Sequence, residues 1–171
     1  TAALDRTLVV LTSDNGFLYG THRLKGKVVL YDESIRLPMV IVAPGQTAPR
    51  TTDEWAVNTD WAATVVDYAG AKPGRVLDGR SLRPQIDGSA GATSRRSSLT
   101  ELPSDGVRAD DQRPFLMIRS KDPALTLDAK GQKVLVYAQT YDHLGAGLLA
   151  EELYDLDDDP TQSTSLHKST V

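Results

Sequence analysis

Cysteine is absent from this sequence of 171 residues, which excludes disulfide bonds and thiolate metal sites. No apolar run approaches the roughly 18 residues that a membrane-spanning helix needs. Basic residues are fewer than acidic ones, 19 against 23, and the formal charge of −4 argues against nucleic acid as the main partner. The composition is otherwise that of a globular protein, 40% hydrophobic and 25% charged, so we expect a packed core.

The segment formed by residues 7–44 is expected to organise both the fold and the functional site. Its two apolar runs, residues 8–11 and 39–42, predict buried strands. Because a long polar connection joins them, we expect a parallel pair, as in an α/β sheet. Asp14 and Asn15 directly follow the first run, and ligands of open α/β sheets bind beyond the carboxyl ends of the strands. The sequence therefore predicts the chemistry at this position.

The remainder of the chain predicts one helix and then an antiparallel sheet. A helix is expected to begin near Asn58, Thr59 or Asp60 and to close at Gly70, a residue suited to the left-handed position. Four strand-like segments follow, separated by turn-rich connections: residues 95–102, 114–119, 133–140 and 151–156. We therefore expect an α/β part at residues 1–90 and a small antiparallel β subdomain at residues 91–171.

Two groups of polar residues could carry chemistry. Asp14 and Asn15 offer a carboxylate and an amide oxygen, ligands suited to Ca²⁺ or Mg²⁺; the alternative is that Asp-Asn-Gly forms only a tight turn. Lys27 could hold a tetrahedral oxyanion and the charge that develops on ester cleavage, or it could be one solvated lysine of a basic loop.

The histidine and the charged residues around Lys27 have alternative interpretations as well. His22 could donate a proton to an anion or a leaving oxygen, or it could be a plain surface histidine. The spacing of Asp32, Glu33 and Arg36 could be that of an active-site group, but it suits one helical turn with an internal charge pair that ends before Pro38. We interpret this turn as a scaffold that positions the loop carrying Lys27.

An ordered set of short motifs resembles the sulfatase family. These formylglycine-dependent sulfuric-ester hydrolases belong to the alkaline-phosphatase-like superfamily. The motifs are Ser13-Asp14-Asn15-Gly16, Gly20-Thr21-His22-Arg23-Leu24, Gly26-Lys27, Tyr31-Asp32-Glu33-Ser34-Ile35-Arg36-Leu37-Pro38, Pro44-Gly45, Asp78-Gly79-Arg80-Ser81-Leu82, Glu152-Leu153-Tyr154-Asp155-Leu156 and Asp159-Pro160. The resemblance is to the C-terminal portion of a sulfatase, and it implies part of a large α/β domain followed by a small antiparallel sheet with a packed helix.

The resemblance also implies roles for individual residues. Asp14 and Asn15 match a pair that binds calcium, and Lys27 matches a lysine that binds sulfate. His22 matches a position where the family often has Gly-Glu-His, whereas this chain has Thr21 in place of the glutamate. A carboxylate that could orient the imidazole is therefore not provided by the neighbouring residue.

The family nucleophile is a formylglycine made within a Cys/Ser-x-Pro-x-Arg motif, which does not occur in this sequence. We therefore expect a missing N-terminal sulfatase segment as partner, no turnover by the 171 residues alone, and weak or no calcium binding by them. Calorimetry that showed tight calcium binding would contradict this. A phosphonate or phosphodiester hydrolase of the same superfamily is an alternative. A non-catalytic interaction module is another. A clean monomer would favour such a module, whereas self-association through open strand edges would favour a fragment cut from a larger sheet.

Overall fold

The computed structural model describes residues 3–89, 94–103, 113–125, 134–142 and 146–167. The chain divides into two compact units. The first comprises Thr1–Thr12 and Pro38–Arg95, and the second comprises Ser13–Leu37 and Arg96–Val171. The predicted boundary at residues 90 and 91 lies outside the described residues and stays a prediction.

The elements are short in the first half of the chain and longer in the second. The strands are β1 (Val9–Leu11), β2 (Leu18–Tyr19), β3 (Lys25–Gly26), β4 (Val40–Val42), β5 (Ser97–Leu102), β6 (Phe115–Ser120), β7 (Leu135–Tyr141) and β8 (Leu148–Asp155). The helices are α1 (Asp32–Ile35), α2 (Asp60–Tyr68) and α3 (Arg83–Asp87). None of the described helices is both long enough and apolar enough to cross a bilayer.

In the first unit, β1 and β4 pair antiparallel, with Val9 opposite Val42. The prediction of a parallel pair was therefore wrong, because apolar runs indicate strands but carry no information about their relative direction. The prediction that both runs are buried was also wrong. Leu11 is 68% exposed and Val40 is 56% exposed, since a ribbon of two strands covers neither of its own faces.

Helix α2 is held by a fully buried carboxylate. The Asp60 side chain is 0% exposed, and it accepts hydrogen bonds from the Arg80 backbone N–H at 2.9 Å and from Arg95 Nη2 at 2.6 Å. One turn later, the Thr64 hydroxyl accepts from the Leu82 N–H at 2.9 Å. These contacts tie α2 to the segment before α3. The predicted helix is confirmed, and Gly70 has the left-handed φ of +61° expected after its end.

The second unit contains the sheet β5-β6-β7-β8, which is antiparallel throughout. This confirms the four predicted strands and their antiparallel arrangement. Because side chains alternate along each strand, one face collects the buried residues Phe115, Met117, Val136, Ala138 and Tyr154. Burial of each of the larger side chains stabilises the fold by about 1.5–3 kcal/mol.

Helix α1 is anchored on the same core. Leu30 is buried in the cluster, and Tyr31 and Ile35 pack against it. The prediction of one helical turn ending before Pro38 is confirmed. The charge pair predicted within α1 is replaced by another one, since Asp32 forms its ion pair with Arg119 of β6. The second unit therefore contains the sheet, α1 and the loops that carry all four predicted site residues.

Candidate functional site

The structure brings Asn15 and Lys27 together. Lys27 Nζ donates to Asn15 Oδ1 at 2.6 Å across a separation of 12 residues. Asn15 Nδ2 donates to the backbone oxygen of Gly16 at 2.8 Å, so both polar atoms of the amide have partners and its orientation is set. The Lys27 side chain lies on the surface, where an anion from solvent can reach the ammonium group.

Asp14 lies next to this pair and is exposed. Its carboxylate accepts a long hydrogen bond of 3.4 Å from the Ser13 hydroxyl, which also donates to the Asn15 backbone oxygen at 2.9 Å. No described backbone hydrogen bond closes a turn within residues 13–16. The Gly16 N–H instead donates to the Ser34 oxygen of α1 at 2.8 Å, which is evidence against a self-contained tight turn.

Helix α1 clamps both loops that carry the predicted residues. The Ser34 backbone oxygen holds Gly16, and the Ser34 hydroxyl accepts from the Val28 N–H at 3.1 Å. Ser34 itself is 4% exposed. A Cβ placed on Gly16 would lie 2.0 Å from the Glu33 oxygen, so only glycine allows this approach. The predicted scaffold role is thus visible in the structure, and Ser34 performs it.

The loop carrying Lys27 has an unusual backbone. Val28, a β-branched residue, has a φ of +71°, which is a sparsely populated and costly conformation for such a side chain. The hydrogen bond from its N–H to the buried Ser34 hydroxyl helps to hold this conformation. The position of Lys27 is therefore imposed by the surrounding structure rather than by local preference.

His22 is not a freely solvated histidine. Its ring stacks on Tyr31 with centroids 3.6 Å apart and planes inclined by 3°, and its side chain is 13% exposed. Its Nε2 lies 3.9 Å from Glu33 Oε2. The carboxylate that is absent beside His22 in the sequence is thus supplied by α1, eleven positions later in the chain. No described hydrogen bond or ion pair joins His22 to Asn15 or Lys27.

The ring that supports His22 is fixed from β8. The Tyr31 hydroxyl donates to Glu152 Oε2 at 3.4 Å, and the Tyr154 hydroxyl donates to the same oxygen. Burial is the main cause that raises the pKa of Tyr31, and the negative charge of Glu152 raises it further. Tyr31 therefore stays neutral at working pH and presents an uncharged ring to the imidazole.

A shallow depression of about 290 Å³ adjoins His22 and is bounded by three segments of the second unit. Its lining residues are Thr21, His22, Arg23, Glu33, Thr161 and Ser163. Arg23 forms no ion pair with the part of the chain that the structure describes. The sequence offered no signal for the contribution of the tail residues, because Thr161 and Ser163 belong to a polar stretch without a motif for binding.

Asp159 organises this tail. Its carboxylate accepts from the Thr164 N–H at 2.9 Å and from the hydroxyls of Thr161 and Ser163, each at 3.0 Å. The backbone N–H groups of Thr164 and Ser163 contribute most to lowering the pKa of Asp159 to about 2.

The lowered pKa of Asp159 predicts a stability change at acidic pH. A group whose pKa is lower in the folded state stabilises the fold above its unfolded pKa, here 3.8, and loses that contribution as the pH falls toward 2. Urea unfolding should therefore show that the free energy of unfolding declines between pH 6 and pH 2, and that the decline is smaller in Asp159→Asn than in the native chain. The same decline in the variant and the native chain would contradict this assignment.

The oxygen ligands present amount to part of a calcium site. Asp14 and Asn15 provide at most three side-chain oxygens of the hard type that calcium prefers, whereas calcium takes about six to eight. The described residues include no group of three or more His, Asp or Glu residues able to hold a metal ion. Asn15 Oδ1 moreover already accepts from the Lys27 ammonium. The pair therefore fits a calcium site only if further ligands come from outside this set.

Comparison with known proteins points to one family. The family model described as N-sulphoglucosamine sulphohydrolase, C-terminal, matches residues 20–101. An N-acetylglucosamine-6-O-sulfatase from Bacteroides thetaiotaomicron is 36% identical over 85 residues, which are 49% of this chain and 15% of that protein. The match to the family model ends within β5 (Ser97–Leu102), the first strand of the second-unit sheet.

Two solved structures extend the likeness over nearly all of the chain. One is the structure of a protein in complex with its substrate D-glucosamine-2-N,6-O-disulfate. It has a TM-score of 0.76 and 25% identity, and the alignment covers 94% of this chain and 30% of that one. The other is the phosphonate monoester hydrolase of Agrobacterium radiobacter, with a TM-score of 0.64 and 25% identity over 94% of this chain and 31% of that one. The chain thus spans less than a third of each of these relatives.

Proposed function

We propose that this chain, which corresponds to the C-terminal region of the sulfatase family, provides part of the anion-binding and metal-binding site of a sulfuric-ester hydrolase. The observation that carries the proposal is the contact of 2.6 Å between Lys27 Nζ and Asn15 Oδ1. It places a cationic donor directly beside a hard oxygen ligand. That combination suits an oxyanion bound between an ammonium group and a metal ion.

Lys27 would hold the sulfate oxygens. Its ammonium group is a compact charge with three donors, and one of them is directed to Asn15. The other donors remain for the anion. A positive charge fixed beside the ester would stabilise the negative charge that grows on the oxygens during cleavage. The clamp formed by Ser34 supports this role, because it fixes the loop before the anion arrives.

Asp14 and Asn15 would hold the metal ion through the Asp14 carboxylate and Asn15 Oδ1. A calcium ion held there would supply positive charge that polarises the sulfate group. The other metal ligands, and the formylglycine nucleophile, would come from residues outside these 171, because the sequence has no cysteine and no Ser-x-Pro-x-Arg motif. This chain would then position the anion, and the nucleophile of the missing N-terminal sulfatase segment would attack the sulfur atom.

His22 would contact the substrate at the oxygen that leaves. Stacking on Tyr31 and the proximity of Glu33 hold its imidazole in one orientation. A histidine so placed can donate a proton to a departing alkoxide at working pH. Its position in the wall of the depression supports this role, since the group attached to the ester could occupy that space.

A second candidate is a phosphonate monoester or phosphodiester hydrolase. The likeness to the phosphonate monoester hydrolase supports it. Sulfate and phosphonate esters are both tetrahedral oxyanions, and a lysine with a carboxylate-amide pair would serve either of them. The two candidates differ in the ester that the complete protein cleaves, while the roles of Asp14, Asn15, Lys27 and His22 are the same.

A third candidate is a non-catalytic interaction module. The buried cluster of the second unit supports it, because that unit has a core of its own. The exposed apolar residues of the β1–β4 ribbon, such as Leu11 and Val40, favour a fragment cut from a larger sheet instead, because open edges favour pairing with another chain. Light scattering tests this candidate. A clean monomer of the 171-residue chain would favour it, whereas self-association that is lost in Leu11→Ser would favour a fragment cut from a larger sheet.

The decisive test compares matched esters. The complete protein should hydrolyse 4-nitrophenyl sulfate with a higher kcat/KM than 4-nitrophenyl phenylphosphonate or bis-4-nitrophenyl phosphate, while the 171 residues alone should hydrolyse none of them. Preference for a phosphorus ester would favour the second candidate. Turnover of the sulfate by the 171-residue chain would contradict the expectation that the nucleophile lies outside it.

A further inference from the structure

The N-terminus of α1 is capped from a distant part of the chain. Tyr31, the residue before the helix, forms no side-chain cap. The Asp32 N–H instead donates to Gln162 Oε1 at 2.8 Å, across 130 residues. Gln162 therefore satisfies a backbone donor that has no partner within the helix.

Gln162 is held in a conformation that costs stability. It is 1% exposed and has a φ of +52°, in the left-handed region that non-glycine residues rarely adopt. Its Nε2 is buried and has no hydrogen-bond partner among the described residues, although most buried polar groups have one. Costs of this kind persist where the surrounding structure over-determines a residue. The defined contact of this side chain is the one that its Oε1 makes with the Asp32 N–H of α1.

A second contact fixes the same end of α1. Arg119 Nη2 donates to Asp32 Oδ1, and the two side chains are 16% and 15% exposed. Arg119 belongs to β6, on the face that also presents Phe115 and Met117 to the core. Asp32 is thus held by its backbone from the tail and by its side chain from the sheet.

We propose that Gln162 and Arg119 are positioning residues for the Asn15–Lys27 pair, acting through α1. Two residues after Asp32, Ser34 holds the Gly16 and Val28 N–H groups, and these residues adjoin Asn15 and Lys27. A rotation or fraying of the first turn of α1 would move both partners of the pair. The catalytic meaning of this inference rests on the proposed function, but the mechanical coupling does not.

Gln162→Met tests the coupling, because it retains the size and burial of the side chain while it removes the oxygen. Hydrogen exchange of the Gly16 and Val28 amides, measured by NMR in the 171-residue chain, should become about tenfold faster, equal to about 1.4 kcal/mol. The Asn15 side-chain amide signals should also shift. They are readily identified, because the chain has two asparagines and Asn15→Asp deletes one set.

Two further variants separate positioning from loss of stability. Gln162→Glu keeps an acceptor oxygen for the Asp32 N–H, so exchange of the Gly16 and Val28 amides should be slower than in Gln162→Met even though the buried carboxyl group lowers overall stability. Thr64→Val removes a fully buried hydroxyl from the first unit, so it should lower stability without altering the Gly16, Val28 or Asn15 signals. If Gln162→Met does not fold, Arg119→Lys, which keeps the charge but loses the planar group, should produce the same three changes to a smaller extent.

Unchanged Gly16 and Val28 exchange in folded Gln162→Met, or unchanged signals in both it and Arg119→Lys, would overturn the inference. Changes of equal size in Thr64→Val would overturn it as well, because they would then report general loosening. None of these measurements uses an ester or a metal ion. Failure of the proposed hydrolase function therefore leaves this test intact, and failure of the coupling leaves the ester assays intact.

Discussion

Replacement of Lys27 by methionine should lower kcat of the complete protein on a sulfate ester by about 10²–10³-fold, the usual effect of removing one donor to a developing oxyanion. Methionine keeps much of the aliphatic chain and removes the charge. The Asn15 amide would lose its partner at 2.6 Å, but the clamp on the loop, which uses the backbone N–H of Val28, would stay. Steady-state kinetics should show the loss mainly in kcat, because the charge matters most where the anion gains charge.

Lys25→Met is the matched control for that variant. Lys25 is also exposed, lies in β3 two residues before Lys27 and forms no hydrogen bond or ion pair through its side chain to any described residue. Its removal alters the net charge by the same amount, so any long-range electrostatic effect on a charged ester would appear equally in both variants. We expect little change in kcat from Lys25→Met. Equal losses in the two variants would contradict a specific role for Lys27.

Introduction of a single methyl group at Gly16 should disrupt both the second unit and the site. In Gly16→Ala the Cβ would lie 2.0 Å from the Glu33 oxygen and 2.9 Å from the Glu33 carbonyl carbon. Both atoms belong to the backbone of α1, so no side-chain rotation relieves the clash. We expect a loss of about 3 kcal/mol in the free energy of unfolding, at the upper end for overpacking. Urea unfolding followed by circular dichroism measures it.

The same variant should also separate the loop carrying Asn15 from α1, because the Gly16 N–H would no longer reach the Ser34 oxygen. Gly74→Ala provides the control, since a Cβ there meets no heavy atom within 4 Å. Its effect should remain within about 0.5 kcal/mol, as for most surface substitutions. A Gly16→Ala protein as stable as Gly74→Ala would show that α1 and the Asn15 loop are not packed as described.

The antiparallel sheet and helix α2 could be predicted from local patterns. Alternation of apolar residues and the turn-rich connections marked β5 to β8, and Gly70 marked the end of α2. Both signals arise within a few residues, where backbone preference and burial act together. The direction of β4 relative to β1 could not be obtained in this way, because the apolar runs have the same composition in either direction.

The site shows the same division. Motif order brought out Asp14, Asn15, His22 and Lys27 as a set, whereas the contact between Asn15 and Lys27 is seen only in the structure. Glu33 beside His22 was missed, because its value as a partner depends on how α1 packs rather than on its own neighbours. Ser34 and Gln162 gave no signal either, since one buried hydroxyl and one amide oxygen resemble any other polar residues in a sequence.

By itself the sequence determined which segments form the small sheet and α2, and which residue types could bind an anion and a hard cation. Those properties follow from side-chain chemistry and from periodicities of two and about 3.6 residues. Only the tertiary structure decided that α1 would hold both loops of the site and would itself be held by Arg119 and Gln162. Hydrogen bonds between residues 87 and 130 positions apart depend on the packing of the whole unit, and no local pattern encodes that packing.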